Sequence, residues 1–193
     1  MVTAEEIIRF WIDETGPSGW YSGGEDLDSE IRRRFLAQWQ EAREGACGLW
    51  LTNPVGTLAY IILTDQFPRN MFRNQADAFA TDPQARAAAK IAIGRDWDLA
   101  VPVEPRQFFY LPLEHSENLI DQDRAVRLIH SRMGDQGTGT LLHAKAHRAI
   151  IRKFGRFPFR NKALGRETSA AEQAWMDAGG YGFELRQLQE TTG

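Results

Sequence analysis

Glu114, His115, Ser116 and Glu117 stand together in "LPLEHSEN", and two further imidazoles, His143 and His147, follow one helical turn apart in "LLHAKAHRAI". A histidine beside a carboxylate can take and return a proton near neutral pH, so Glu114, His115 and His147 are the candidates for general acid–base work. No G-x-S-x-G elbow supplies a nucleophile, and Cys47 lies in the plain loop "GACGLW". Zinc chemistry of the protease kind needs Glu directly after the first His of a turn-spaced pair, and Ala144 stands there. No metal or other cofactor is expected. A bland alternative pairs Glu114 and His115 with Arg69 or Arg160 as internal ion pairs.

A second kind of chemistry is suggested by arginine. "LTDQFPRNMFRN", residues 63–74, and "KFGRFPFRNKALGR", residues 153–166, each place Phe-Pro and then Arg-Asn at the end of an apolar helix. Leu58, Ile61, Ile62 and Asp65 share one helix face, so Asp65 is aimed inward and needs a partner. Pro68 is expected to stop the helix, hold Phe67 extended and swing Arg69, Asn70 and Arg73 back over the last carbonyls. Two readings follow. Either Asp65 and the arginines form a clamp that fixes a corner, or guanidinium forks recognise a carboxylate or phosphate.

Charge is distributed unevenly along the chain. The net charge of the 193 residues is only −3, but residues 1–31 hold eight carboxylates against Arg9, and residues 141–166 hold eight bases and no acid. The basic stretch is expected to meet the acidic one or to offer a patch to an anionic partner. Phe154, Phe157 and Phe159 interleaved with Arg156 and Arg160 could mimic a nucleic-acid surface, but the acidic total argues against one. One cysteine, no secretory h-region and no apolar run near the roughly 20 residues that span a bilayer point to a cytoplasmic protein with no membrane segment.

Helical signals position these groups. "TAEEIIRFW" opens with a Thr3–Glu6 capping box, "NPVGTLAYIILTD" with Asn53 and Pro54, "DPQARAAAKIAIG" with Asp82 as cap, and "SAAEQAWMDAGG" with a Ser169–Glu172 box. Leu27, Ile31, Phe35, Trp39 and Ala42 mark an amphipathic helix over about 28–44, and "DQDRAVRLIHSRM" and "LLHAKAHRAIIRKF" read as two more. "EPRQFFYLPLEHSEN" reads as a helix kinked at Pro112, which frees the Phe108 carbonyl. The pattern predicts an all-α domain spanning 1–193, an antiparallel array of about eight helices, with 134–140 its most flexible loop and a loosely held tail after Gly180.

"LTDQFPRNMFR", "AFATD", "FFYLPLEHSEN" and "FGRFPFRNKALGR", in this order, resemble the bacterial domain-of-unknown-function family 924 from "IIRFW" to the helix around Trp175. The resemblance implies a tetratricopeptide-like right-handed superhelix, and it carries over Asp65, Gln66, Phe67, Pro68, Arg69 and Asn70, then Glu114 to Glu117, then His147, Arg156, Phe157, Pro158, Arg160 and Asn161. Phe159 departs from the family's pattern, which looks to have His at that place. The family resembled carries no established activity, and the residues themselves point to a binding module whose polar pocket, lined by Asp65, Arg69, Asn70, Arg73, Glu117, Arg156, Arg160 and Asn161, takes a small anion or a peptide carboxylate. The alternatives are a hydrolase-like enzyme using Glu114, His115 and His147, and a purely architectural role for every motif residue in a protein that meets other proteins.

Overall fold

The computed structural model describes residues 2–192, with side chains as far as Glu190. Every regular element among the described residues is helical. The chain forms two compact units, the first ending at Pro112 and the second beginning at Leu113.

In the N-terminal unit two of the expected caps are in place. Thr3 and Glu6 close a capping box on the Ala4–Ile8 helix, and Asn53 accepts from Gly56 N at the head of the Pro54–Ile61 helix. The long Glu25–Arg43 helix buries Ile31, Phe35, Trp39 and Ala42 on one stripe. These rings meet in an aromatic core: Phe35 stacks on Phe67 at 4.8 Å, and Trp11 stands edge-on to Phe67 at 5.4 Å. Such arrangements favour the offset and edge geometries that the ring quadrupole prefers.

The segment around Pro68 differs from expectation. Instead of stopping, the Pro54–Ile61 helix widens into a π turn at Ile62–Gln66 and continues as Phe67–Met71, with Phe67 itself helical at φ −59° and ψ −38°. The wide turn is closed by Phe67 N donating to Ile62 O, and Pro68 then enters at the start of the next helical turn, where no donor is required. Proline withholds a hydrogen bond from the carbonyl four residues back. That carbonyl, Thr64 O, accepts from the Thr81 hydroxyl at 2.5 Å instead. From Gly56 to Met71 every residue except Arg69 is buried, so this is a central helix rather than an amphipathic one.

Two smaller corrections concern helix bounds. Thr81, not Asp82, stands at the cap of the Asp82–Gly94 helix. The stretch before Glu114 is not one kinked helix but Val103–Arg106, a 3-10 turn Gln107–Phe109, and Leu111–Glu114, with Pro112 in the first turn of the last.

The C-terminal unit is built on the Thr138–Phe154 helix, which packs against Leu119–Met133 and Gly180–Thr192. Ile150, Ile151, Phe157 and Trp175 form its core, joined by Phe154, Met176 and Tyr181. Ser169 and Glu172 close the expected capping box, and Gly155, at φ +71°, ends the long helix in the left-handed conformation that glycine adopts freely. The stretch 134–140, expected as the most flexible loop, is a 3-10 turn at Gly134–Gly137 leading straight into the Thr138–Phe154 helix. Within the stretch expected as a loose tail, Gly180–Thr192 forms a helix: Tyr181, Leu185 and Leu188 recur at helical spacing and Tyr181 has a site to enter.

Candidate functional site

The arginines of the first motif have partners far along the chain. Arg69 donates to the Ala78 carbonyl and meets Asp82 at 2.8 Å, with its guanidinium 4.6 Å above the Phe79 ring. Arg73 lays Nε and Nη2 on the Asp28 carboxylate, and Asn70 donates to the same group at 2.8 Å. Burial alone would raise the Asp28 carboxyl, but hydrogen bonds from Arg73 and Asn70 and the charges of Arg73 and Arg32 hold it below its usual range. The expected clamp of Arg69 and Arg73 on Asp65 is therefore not formed; the acids are Asp82 and Asp28. Because the helix does not end at Pro68, the arginines continue around it instead of folding back. Asp65 is fully buried in the π turn and accepts from Gln66 Nε2 at 2.5 Å.

The C-terminal unit uses its cations in the same way. Arg156 grips Glu172 through Nε at 2.6 Å and Nη2 at 2.9 Å, and hydrogen bonds from Arg156 and Ser169 hold that carboxyl far below its usual range. Arg166 forks onto Glu117 at 2.7 and 3.0 Å, while Glu117 also accepts Phe157 N at 2.8 Å. Burial would raise Glu117, and these bonds overcome it, leaving the carboxyl lowered. Arg148 and Arg152 share Asp123. Asn161 is buried and reaches Thr168 Oγ1 at 3.3 Å. Arg160 is buried with its guanidinium 4.5 Å above the Phe157 ring.

A second cluster gathers the acid–base candidates. Glu114 is fully buried, and its Oε2 lies 3.3 Å from His147 Nδ1. His115 stands edge-on to His147 at 6.1 Å between ring centroids. The Gln122 amide fixes the backbone beneath them, donating to Glu114 O at 2.6 Å and Ser116 O at 2.7 Å, and Ser116 Oγ donates to Asp121 at 2.8 Å. His147 also meets Phe157 edge-on at 5.4 Å and leans over Tyr181 at 5.1 Å. The Tyr181 hydroxyl lies 2.6 Å from His143 Nδ1. Burial, reinforced by the Glu114 charge, raises the Tyr181 phenol far above its ordinary value, so it stays protonated.

Thus Glu114, His115 and His147 come together, whereas Glu117, Arg156 and Asn161 belong to the ion-paired and hydrogen-bonded corners described above. Sequence reasoning missed Tyr181, His143 as its partner, and the acids Asp28, Asp82 and Glu172. The Tyr181, Leu185 and Leu188 spacing was the signal available for the first; for acids more than a dozen residues from their arginines no local signal exists. Among the described residues no group of three or more His, Cys, Asp and Glu side chains is arranged to hold a metal ion, and no helix is long and apolar enough to cross a membrane.

No curated protein matches the chain. A solved structure of a protein of unknown function from Agrobacterium tumefaciens is similar at 39% identity and a TM-score of 0.84, over 91% of this chain and 97% of that one. Residues 7–180 match the profile of a family described as bacterial protein of unknown function, DUF924. With nine-tenths of its length inside that match and both Phe-Pro motifs and the Glu114–His115 segment within it, the chain belongs to this bacterial family.

Proposed function

We propose that the C-terminal unit carries a small-molecule site at Glu114 and His147, flanked by His115, His143 and Tyr181, in which His147 takes and returns a proton in a hydrolase-like reaction. The observation that carries this reading is the buried Glu114 carboxylate 3.3 Å from His147 Nδ1. A carboxylate on Nδ1 favours the tautomer protonated there, makes Nε2 the basic nitrogen, and stabilises the imidazolium formed when Nε2 accepts a proton. Water is the nucleophile in this proposal: Nε2 removes its proton as the oxygen attacks, and the imidazolium returns that proton to the leaving group. Positioned proton transfer of this kind contributes about 10²- to 10⁴-fold in rate.

The reading as a binding module for a small anion or a peptide carboxylate has less support, because three of its four arginines, Arg69, Arg73 and Arg156, each already meet a carboxylate, and Glu117 of the same set is held by Arg166. Those arginines are architectural in this proposal. The test is hydrolysis of a panel of carboxylic esters, lactones and phosphate esters between pH 5 and 9. Turnover lost in His147→Ala and Glu114→Gln, with far-UV circular dichroism unchanged, is the expected result. Melting shifts from acetate or phosphate without turnover, surviving in His147→Ala, would replace this reading with the anion-binding one.

A further inference from the structure

Phe159 is held at the edge of this site with its ring partly in water. Pro158 opens the 3-10 turn Pro158–Arg160, which sends Phe157 into the core and leaves Phe159 46% exposed. The two rings stack at 5.3 Å with 26° between their planes, so Phe157 covers one face of Phe159. Tyr181 stands edge-on to Phe159 at 6.4 Å. Through Phe157 and Tyr181 the partly exposed ring joins directly to the His147 imidazole, and His143 extends the same array by stacking on Tyr181 at 6.0 Å and 15°. Five rings therefore form one connected array, and His147 ties it to the buried Glu114 carboxylate.

An exposed phenyl face costs apolar hydration, and ring stacking is the interaction that best offsets it, because the face and edge of an aromatic ring carry opposite partial charge. The arrangement here is directional rather than a general apolar patch: a stacked pair, an edge-on phenol and a polar group at one end. The geometry points to a ligand with a flat, neutral aromatic ring that stacks on the open face of Phe159, at the outer end of the ring array that leads to His147. This inference rests on the proton-handling reading of the Glu114–His147 pair and names the ligand class of that site. Neutrality follows from the surroundings: burial first and the Glu114 charge second keep the neighbouring phenol protonated, and both disfavour an anionic ring.

Benzyl alcohol and cyclohexylmethanol test it, since they share a hydroxyl and a near-equal size and differ in the flat ring. Dissociation constants from NMR titration of the full chain should favour benzyl alcohol by about 3- to 10-fold, the range expected of one good ring pair. Phe159→Leu should erase the preference and Phe159→Trp should keep it, with melting temperatures close to wild type because the side chain is half exposed. Equal affinity for the two alcohols, binding of neither, or a preference that survives in Phe159→Leu overturns the aromatic class. If ester turnover dependent on His147 persists in any of those cases, the proton-handling reading stands without it; if turnover is also absent, both fall.

Discussion

The Thr81 hydroxyl donates to the carbonyl of Thr64 at 2.5 Å while accepting the Trp39 indole N–H at 3.0 Å. One buried side chain thus completes the gap that Pro68 leaves in the central helix and satisfies a core tryptophan. Thr81→Val keeps the shape and removes both bonds. It should destabilise the protein by about 2 to 4 kcal/mol in chemical denaturation, since two buried polar groups lose their partner. Thr81→Ser should cost less than half as much; a neutral valine variant would show that Thr64 and Trp39 find other partners.

Asp28 and Glu117 make stability depend on acid. Both carboxyls are lowered in the folded state, so the stability they contribute is complete above the unfolded carboxylate range, about pH 4, and is lost as pH falls through the folded values. Melting temperature should fall steeply below about pH 4 in the wild type. Asp28→Asn and Glu117→Gln should melt lower at pH 7 and lose less on acidification. Parallel curves for wild type and variants would contradict this account.

Arg69→Ala should behave as a structural lesion. The side chain bonds Ala78 O and Asp82 and covers Phe79, and its loss should cost about 1 to 3 kcal/mol. Arg69→Lys should recover only part, because a single ammonium cannot serve a carbonyl and a carboxylate in the fork geometry. Any ester turnover should keep its KM in both variants once they are folded; a selective rise in KM would place Arg69 against substrate.

Tyr181→Phe removes a single hydrogen bond at the edge of the site. The stability loss should be about 1 kcal/mol or less, since His143 can turn to water. The His143 ring-proton NMR signals should move in the variant, while far-UV circular dichroism stays the same. Unchanged His143 signals would mean that the pair does not persist in solution.

How much of this was written in the local sequence varies with the range of the interaction. The capping boxes Thr3–Glu6 and Ser169–Glu172 and the glycine stop at Gly155 depend on neighbours three or four residues apart, and each was readable. Asp65 is buried as its apolar face suggested, but so is every other face of this helix except at Arg69. The course of the chain at Pro68 was not readable, because proline's local preference was overruled by a hydroxyl supplied from Thr81. The acids that hold Arg69, Arg73 and Arg156 lie 13, 45 and 16 residues away, and nothing near the arginines selects them. Tyr181 was hidden for a different reason: two glycines precede it, and a glycine pair reads as the end of structure when here it is a turn into another helix.

The wide turn at Ile62–Gln66 has a consequence for the chain's tolerance of length changes. It acts as a phase shifter, one residue longer than the helical turn it replaces. Deleting a single residue there would restore an ordinary turn in which Phe67 N still donates to Ile62 O, so Phe67 would stay in the aromatic core and Asn70 near Asp28. The regular helix before it has no such slack: a one-residue deletion within Pro54–Ile61 would shorten it by about 1.5 Å and rotate everything beyond by about 100°. The wide turn is thus the one place along this buried helix where the residue count can change by one without misaligning the corner.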